Sequence, residues 1–162
     1  MIVVLMGVSG SGKSAVGKVL AEQLGWTFVE GDDFHPAANV EKMRGGAPLT
    51  DADRRPWLAA LRARIDAACA RNENVVLACS ALKHAYQDYL ERNEPEQVHY
   101  VYLHGSEELI RQRLAGRKGH FMNPNLLHSQ FEALEPPGHA VRVEITEPVE
   151  VIAANIRNQL GL

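Results

Sequence analysis

Short, mainly apolar runs alternate along this chain with longer stretches in which apolar residues recur every three or four positions. The runs are Ile2 to Met6, Trp26 to Val29, Asn74 to Cys79, His99 to Leu103 and Val141 to Ile145; their length predicts strands, and the unbroken apolar residues of the first and third predict burial on both faces. Helical spacing marks Lys13 to Leu24, about Asp53 to Arg71 with Trp57, Leu58, Leu61 and Ile65 on one face, Leu82 to Arg92, Ser106 to Ala115, Leu126 to Leu134, and Val149 to Leu160. Strand and helix in strict alternation predict an α/β fold, a parallel sheet covered by helices on both sides. In such folds ligands gather beyond the carboxyl ends of the strands. That places residues 7–14, 31–35 and 80–83 around one crevice.

The first run empties into Gly7-Val8-Ser9-Gly10-Ser11-Gly12-Lys13-Ser14, a G-x-x-x-x-G-K-S phosphate-binding loop. Its glycines let backbone N–H groups turn toward an anion without side chains in the way. Lys13 adds a mobile positive charge for the outer phosphates, and the hydroxyl of Ser14 suits Mg²⁺. The helix that follows directs its positive end at the same place. A chance glycine-rich turn would not need a buried strand before it and a helix after it, so nucleotide binding is the reading.

The second strand ends in Glu30-Gly31-Asp32-Asp33-Phe34-His35-Pro36. Phosphoryl transfer to an alcohol needs a carboxylate that orients the hydroxyl and takes its proton, and Asp32 is the candidate base. An aspartate in such a turn also serves as a helix cap; the phosphate loop nearby favours the chemical role. Glu30 is a weaker candidate for holding metal through water. The third strand lacks the aspartate with which motor ATPases end it and continues instead into Ser80-Ala81-Leu82-Lys83, which leaves metal to Ser14, phosphates, water and Ser80 or Asp32. Lys83 can reach the crevice, although a lysine in a first helical turn is as often simply solvated.

Two further segments are cationic. Arg111, Arg113, Arg117, Lys118 and His120 crowd one helix end and the loop after it, and residues 116–124 have the look of a mobile lid that would exclude water during transfer. Lys42, Arg44, Arg54 and Arg55 sit in a turn-rich stretch suited to recognising an anion, since an arginine fork binds a carboxylate bidentately. Trp57 reads as core because Leu58, Leu61 and Ile65 continue its face.

Size and charge narrow the partners. One domain is expected of 162 residues at 46% hydrophobic content. With 17 basic against 20 acidic residues, net charge −3, no nucleic-acid surface is expected, and the partner should be small. Cys69 and Cys79 lack metal or redox spacing and read as two reduced thiols, which fits a cytoplasmic setting. Neither a leader nor a membrane span is expected from the opening apolar run.

Taken in order, the blocks GVSGSGKS, GDDFHP, KMRGGAPLTDADRRPWL, CSALK and RLAGRKGHFMNPNLLHSQFEALEPP resemble those of the small P-loop gluconokinases, from Ile2 to about Pro137 and more loosely beyond. The resemblance implies a P-loop kinase fold like that of shikimate and nucleoside monophosphate kinases, with a five-stranded parallel sheet, a lid near 116–124 and a mobile substrate segment near 31–58. It implies transfer of the γ-phosphate of ATP, with Mg²⁺, to the 6-hydroxyl of D-gluconate. Carried over by match, Gly7, Val8, Ser9, Gly10, Ser11, Gly12, Lys13 and Ser14 would hold ATP; Lys13, Asp32 and Arg117 would serve the transfer; Asp32, His35, Arg54, His120 and Gln130 would line the acid-sugar site; and Ser14 would bind metal. The cationic helix end adds Arg113 to the ATP site, and the reach of Lys83 adds it to the sugar site. Members of that family are commonly dimeric, so a homodimer is among the implied partners, although the chain itself is silent on it. The alternatives are a kinase for another small hydroxy acid or nucleotide, and, from another class, a non-catalytic ATP-binding switch, which would need neither Asp32 nor a cationic acceptor segment.

Overall fold

In the computed structural model, which describes residues 1–116 and 124–162, five parallel strands form one sheet in the order β2-β3-β1-β4-β5. They are β1 (Ile2–Met6), β2 (Thr27–Glu30), β3 (Val75–Ala78), β4 (Val98–His104) and β5 (Val141–Glu144). Ile2 lies opposite both Val75 and Val98, so β1 runs up the centre of the sheet and every one of its side chains is buried. The chain leaves β1 toward β2 at one edge and crosses back from β3 to β4 on the other side of β1. A crevice therefore opens above β1 where the connections part.

Alternation along β1 sorts the core into two halves. Ile2, Val4 and Met6 face Trp57, Leu58, Leu61 and Ile65 of α3 (Asp51–Ala70) and Tyr86 and Leu90 of α4 (His84–Glu91). On the opposite face Val3 and Leu5 meet Val16 and Leu20 of α1 (Lys13–Leu24), Ile110 of α5 (Glu107–Ala115), Leu127 of α6 (Pro124–Ala133), and Ile152 and Ile156 of α7 (Val149–Leu160). Both cysteines are free, and burial pushes the Cys79 thiol up to about 12, so it stays protonated.

Where the described elements differ from the sequence expectation, local hydrogen bonding is the reason. A 3₁₀ turn (Gly31–Phe34) and a helix, α2 (Ala37–Arg44), occupy a stretch that read as turn-rich, with no helix expected in it. With the sequence AANVEKMR, α2 has too few apolar residues to show periodicity. The long helix α3 starts at Asp51 rather than near Asp53, because Thr50 is its cap: Thr50 Oγ1 accepts from the Asp53 amide at 3.1 Å and Asp53 Oδ2 accepts from the Thr50 amide at 2.9 Å. Arg117 and His120, and with them most of the expected lid, lie outside the described residues.

Candidate active site

Above the carboxyl end of the sheet lies a cleft of about 870 Å³, lined at one end by Ser9, Gly10, Gly12, Lys13 and Ser14 and at the other by Asp32, His35, Arg54, Trp57 and Lys83. The first end is built from backbone. Gly10 and Gly12 take φ of 80° and 95°, the left-handed region that a side chain disfavours, and a Cβ on Gly10 would come within 2.7 Å of Leu114. At Gly12 the same atom would meet nothing nearer than Val16 at 3.9 Å, so glycine is required there by the turn alone. Lys13 Nζ donates to the carbonyls of Gly7 at 3.1 Å and Val8 at 2.9 Å, folding its charge back over the loop. The buried Ser11 Oγ has no hydrogen-bond partner among the described residues. A positively biased helix start, open amide-lined turns and a poised ammonium fit a triphosphate.

Metal donors stand beside it. Ser14 Oγ donates to Glu30 Oε2, joining the start of α1 to the end of β2. No group of three or more His, Cys, Asp or Glu placed to hold a metal occurs among the described residues. The donor set is thus one hydroxyl and one carboxylate, all oxygen, and it fits a Mg²⁺ ion that keeps water and phosphate ligands rather than one caged by protein.

The other end is assembled from side chains that several elements bring in. The 3₁₀ turn after β2 presents Asp32 and, at its close, His35. The His35 ring stacks on Trp57 of α3, centroids 4.4 Å apart and planes 10° from parallel. Trp57 is 1% exposed and donates its indole N–H to the Gly31 carbonyl at 2.8 Å, so a core residue pins the turn that carries Asp32. Burial lowers the pKa of His35; nearby Asp32 opposes that and Arg54 adds to it, which leaves the ring neutral near pH 7.

Arg54 Nη1 donates to the Leu49 carbonyl at 2.9 Å and to Tyr86 Oη at 3.2 Å, with its guanidinium over the Tyr86 ring. Tyr86 Oη in turn donates to Asp51 Oδ1, which also accepts from Lys83 Nζ at 3.0 Å. Asp51 thereby joins two cations of the cleft, and its carboxyl is held below the usual range by Tyr86 and then Lys83. The loop bearing Ser80 and Lys83 is itself held open: Ala81 sits at φ 40°, and the buried Gln87 donates both to the Ala81 carbonyl and to the Glu135 carbonyl at 2.9 Å.

A family model described as AAA domain matches residues 2–137. The probable gluconokinase of Xenopus tropicalis is 44% identical over 177 residues, covering 99% of this chain and 93% of that protein. A solved gluconokinase from Sinorhizobium meliloti 1021 is also 44% identical, covers 98% of this chain and 94% of that one, and superposes with a TM-score of 0.84. The chain belongs to the gluconokinase family. A shikimate kinase structure from Bacteroides thetaiotaomicron, 19% identical with a TM-score of 0.71 over 100% of this chain and 99% of that one, shares the fold.

Against that family background, the expected residues fall into three groups. Gly10, Gly12, Lys13, Ser14, Asp32, His35, Arg54 and Lys83 share the cleft. Gln130, expected with the acid sugar, lines the same cleft but binds the phosphate loop: its Oε1 accepts from the Ser9 amide at 2.7 Å and its Nε2 donates to Ser9 Oγ at 3.1 Å. Arg113, expected on ATP, does not line the cleft; its Nη2 donates to the Ile145 carbonyl at 2.5 Å, because the last turn of α5 runs beside the end of β5. Arg117 and His120 are outside the described residues. Sequence reasoning passed over Tyr86 and Asp51, which act on the cleft only through partners far along the chain. Trp57 was read correctly as core, yet the residue before it that it stacks on, His35, is a cleft residue.

Proposed function

We propose that this protein transfers the γ-phosphoryl group of ATP to the 6-hydroxyl of D-gluconate, releasing ADP and 6-phosphogluconate. One observation carries the reading: a single continuous cleft joins a triphosphate cradle to an acidic turn backed by cations. ATP lies with its phosphates on the loop from Gly7 to Ser14. The sugar hydroxyl faces Asp32, which accepts its proton as the hydroxyl oxygen bonds to phosphorus and the bond from phosphorus to the bridging oxygen of ADP breaks. Lys13 neutralises charge on the moving group. Mg²⁺, held by Ser14 with Glu30 beside it, supplies charge compensation on the phosphates when bound. Arg54 and Lys83 meet the carboxylate of the acid, which is why a sugar acid is favoured over a neutral sugar.

In this reading the whole chain works as one unit on two small molecules, with no part for nucleic acid or membrane. Two free thiols and the use of ATP support a cytoplasmic setting. No helix among the described residues is long and apolar enough to cross a membrane. A homodimer is carried on the family resemblance alone, and light scattering of the purified protein tests it. For the reaction, ATP, Mg²⁺ and gluconate are incubated with the protein and followed by ³¹P NMR. A phosphomonoester on C6 with stoichiometric ADP is expected; ADP formed without it, or neither product, sinks the proposal.

A further inference from the structure

Asn39, in the first turn of α2, is 5% exposed although the helix around it is polar and largely solvated. Its side-chain amide has two contacts. Nδ2 lies 2.8 Å from the Asp53 carbonyl oxygen and 3.2 Å from His35 Nδ1. A carbonyl only accepts, so the Asp53 contact identifies this end of the amide as the NH₂ group and not the oxygen. The second hydrogen of the same nitrogen is then the one directed at His35, and Nδ1 must receive it with a lone pair. A neutral imidazole carries one proton, which is therefore on Nε2.

We propose that Asn39 is a positioning residue that holds His35 as the Nε2–H tautomer, so that the ring offers a fixed hydrogen-bond donor beside the Asp32 carboxylate to a hydroxyl of the acceptor. Stacking on Trp57 sets the plane of the ring and Asn39 sets its proton. Asp32 and His35 belong to one short turn and line one cleft, so an acceptor and a donor stand side by side. A hydroxyl both donates and accepts, and this pair matches it; a carbonyl, which only accepts, would leave Asp32 without a partner. Protonating the ring would set an N–H on Nδ1 against the N–H of Asn39. Of the charged groups around the ring, Asp32 favours that proton and Arg54 of α3 opposes it, together with burial.

The role toward the acceptor rests on the function proposed above, whereas the tautomer is a property of the free protein. Uniformly ¹⁵N-labelled full-length protein is therefore studied without substrate by long-range ¹H–¹⁵N correlation, with His35→Gln identifying the ring signals. The expected pattern is an unprotonated Nδ1 and a protonated Nε2. Asn39→Asp puts an acceptor against Nδ1, so the ring should shift its proton to Nδ1 or become charged. The acid limb of the rate profile should move to higher pH, and KM for gluconate should rise about tenfold, the size of one lost hydrogen bond, with KM for ATP unchanged. Asn39→Ala, which removes the donor and adds no charge, should give mixed tautomers and a smaller rise. A protonated Nδ1 in the unaltered protein overturns the proposal. So does an Asn39→Asp protein in which the tautomer changes and KM for gluconate does not. Failure of the unaltered protein to phosphorylate gluconate would instead overturn the function, and the tautomer would still decide what Asn39 does.

Discussion

The two ends of the cleft are made in different ways. In the proposed reading the phosphate end is one uninterrupted run, Gly7 to Ser14, whose working parts are mainly backbone amides, one ammonium and one hydroxyl. The acceptor end has no such run. Asp32 and His35 come from the turn after β2, Arg54 and Trp57 from α3, and Lys83 from the loop before α4, while Asn39, Asp51 and Tyr86 hold them from behind. An anion site for a triphosphate can be local because successive amides already point the same way. A site for a chiral polyol needs donors and acceptors spaced in three dimensions, and only chain crossings supply those.

If that division is right, substitutions at the acceptor end should separate turnover from ATP binding, and those at the phosphate end should not. Asp32→Asn is the strongest test: kcat should fall about 10²–10⁴-fold with ATP affinity kept within about twofold, read by single-turnover assay and calorimetry. Unchanged turnover would remove Asp32 from the chemistry. Lys13→Ala should lower kcat by about 10²–10³-fold and weaken ATP binding as well. Arg54→Lys keeps the charge but loses the planar guanidinium, whose Nη1 reaches both Leu49 and Tyr86 and whose other nitrogens can face a carboxylate, so KM for gluconate should rise roughly 10-fold with little change in kcat.

Trp57→Phe tests the scaffold behind the acceptor end. It leaves the Gly31 carbonyl without its partner and should cost about 1–3 kcal/mol by urea unfolding. Part of any loss in kcat should track that drop through Asp32. The smallest effect concerns acid stability. Lys42 and then Thr50 hold Asp53 down to about 2 from 3.8, and Arg64 holds Glu73 down to about 2 from 4.5. Carboxylates depressed in this way contribute fully above their ordinary values and lose that contribution as pH falls toward 2. Tm should accordingly be flat above pH 5 and decline below about 4.5, a little less steeply in Asp53→Asn; an identical acid limb in the variant would show that the Thr50 cap and the Lys42 pair do not matter to folding.

Legibility followed the same line as the chemistry. The central strands were visible because burial on both faces leaves unbroken apolar runs, the edge strands β2 and β5 because short runs of β-formers remain, and most helices because covering the sheet leaves helical stripes. The helix α2 was missed because its eight residues carry little apolar pattern and owe their position to neighbours. Asp32 stood out as the candidate base because it sits in a turn at a strand end, where ligands collect, and the structure puts it on the cleft. Glu30 stood one place before Gly31 in the same turn and was rated weakly, since nothing local says that Ser14 will come to meet it. Arg113 was assigned to ATP from a cationic helix end and Gln130 to the sugar from the resemblance, and each is engaged by a carbonyl or by a loop from a distant part of the chain.

From residue order alone came the class of fold and the family whose blocks recur along the chain, and with them the proposal of a phosphate cradle with its lysine and an acidic turn facing it. These are properties of short contiguous stretches, where covalent spacing already sets geometry. The tertiary structure decided that Trp57 would serve core and cleft together, that Asp51 and Tyr86 would tie Arg54 to Lys83, and that Asn39 would come to lie against the His35 ring. Each depends on which side chain arrives across the sheet or from the next helix, at ångström distances that hydrogen bonds feel and residue order does not encode.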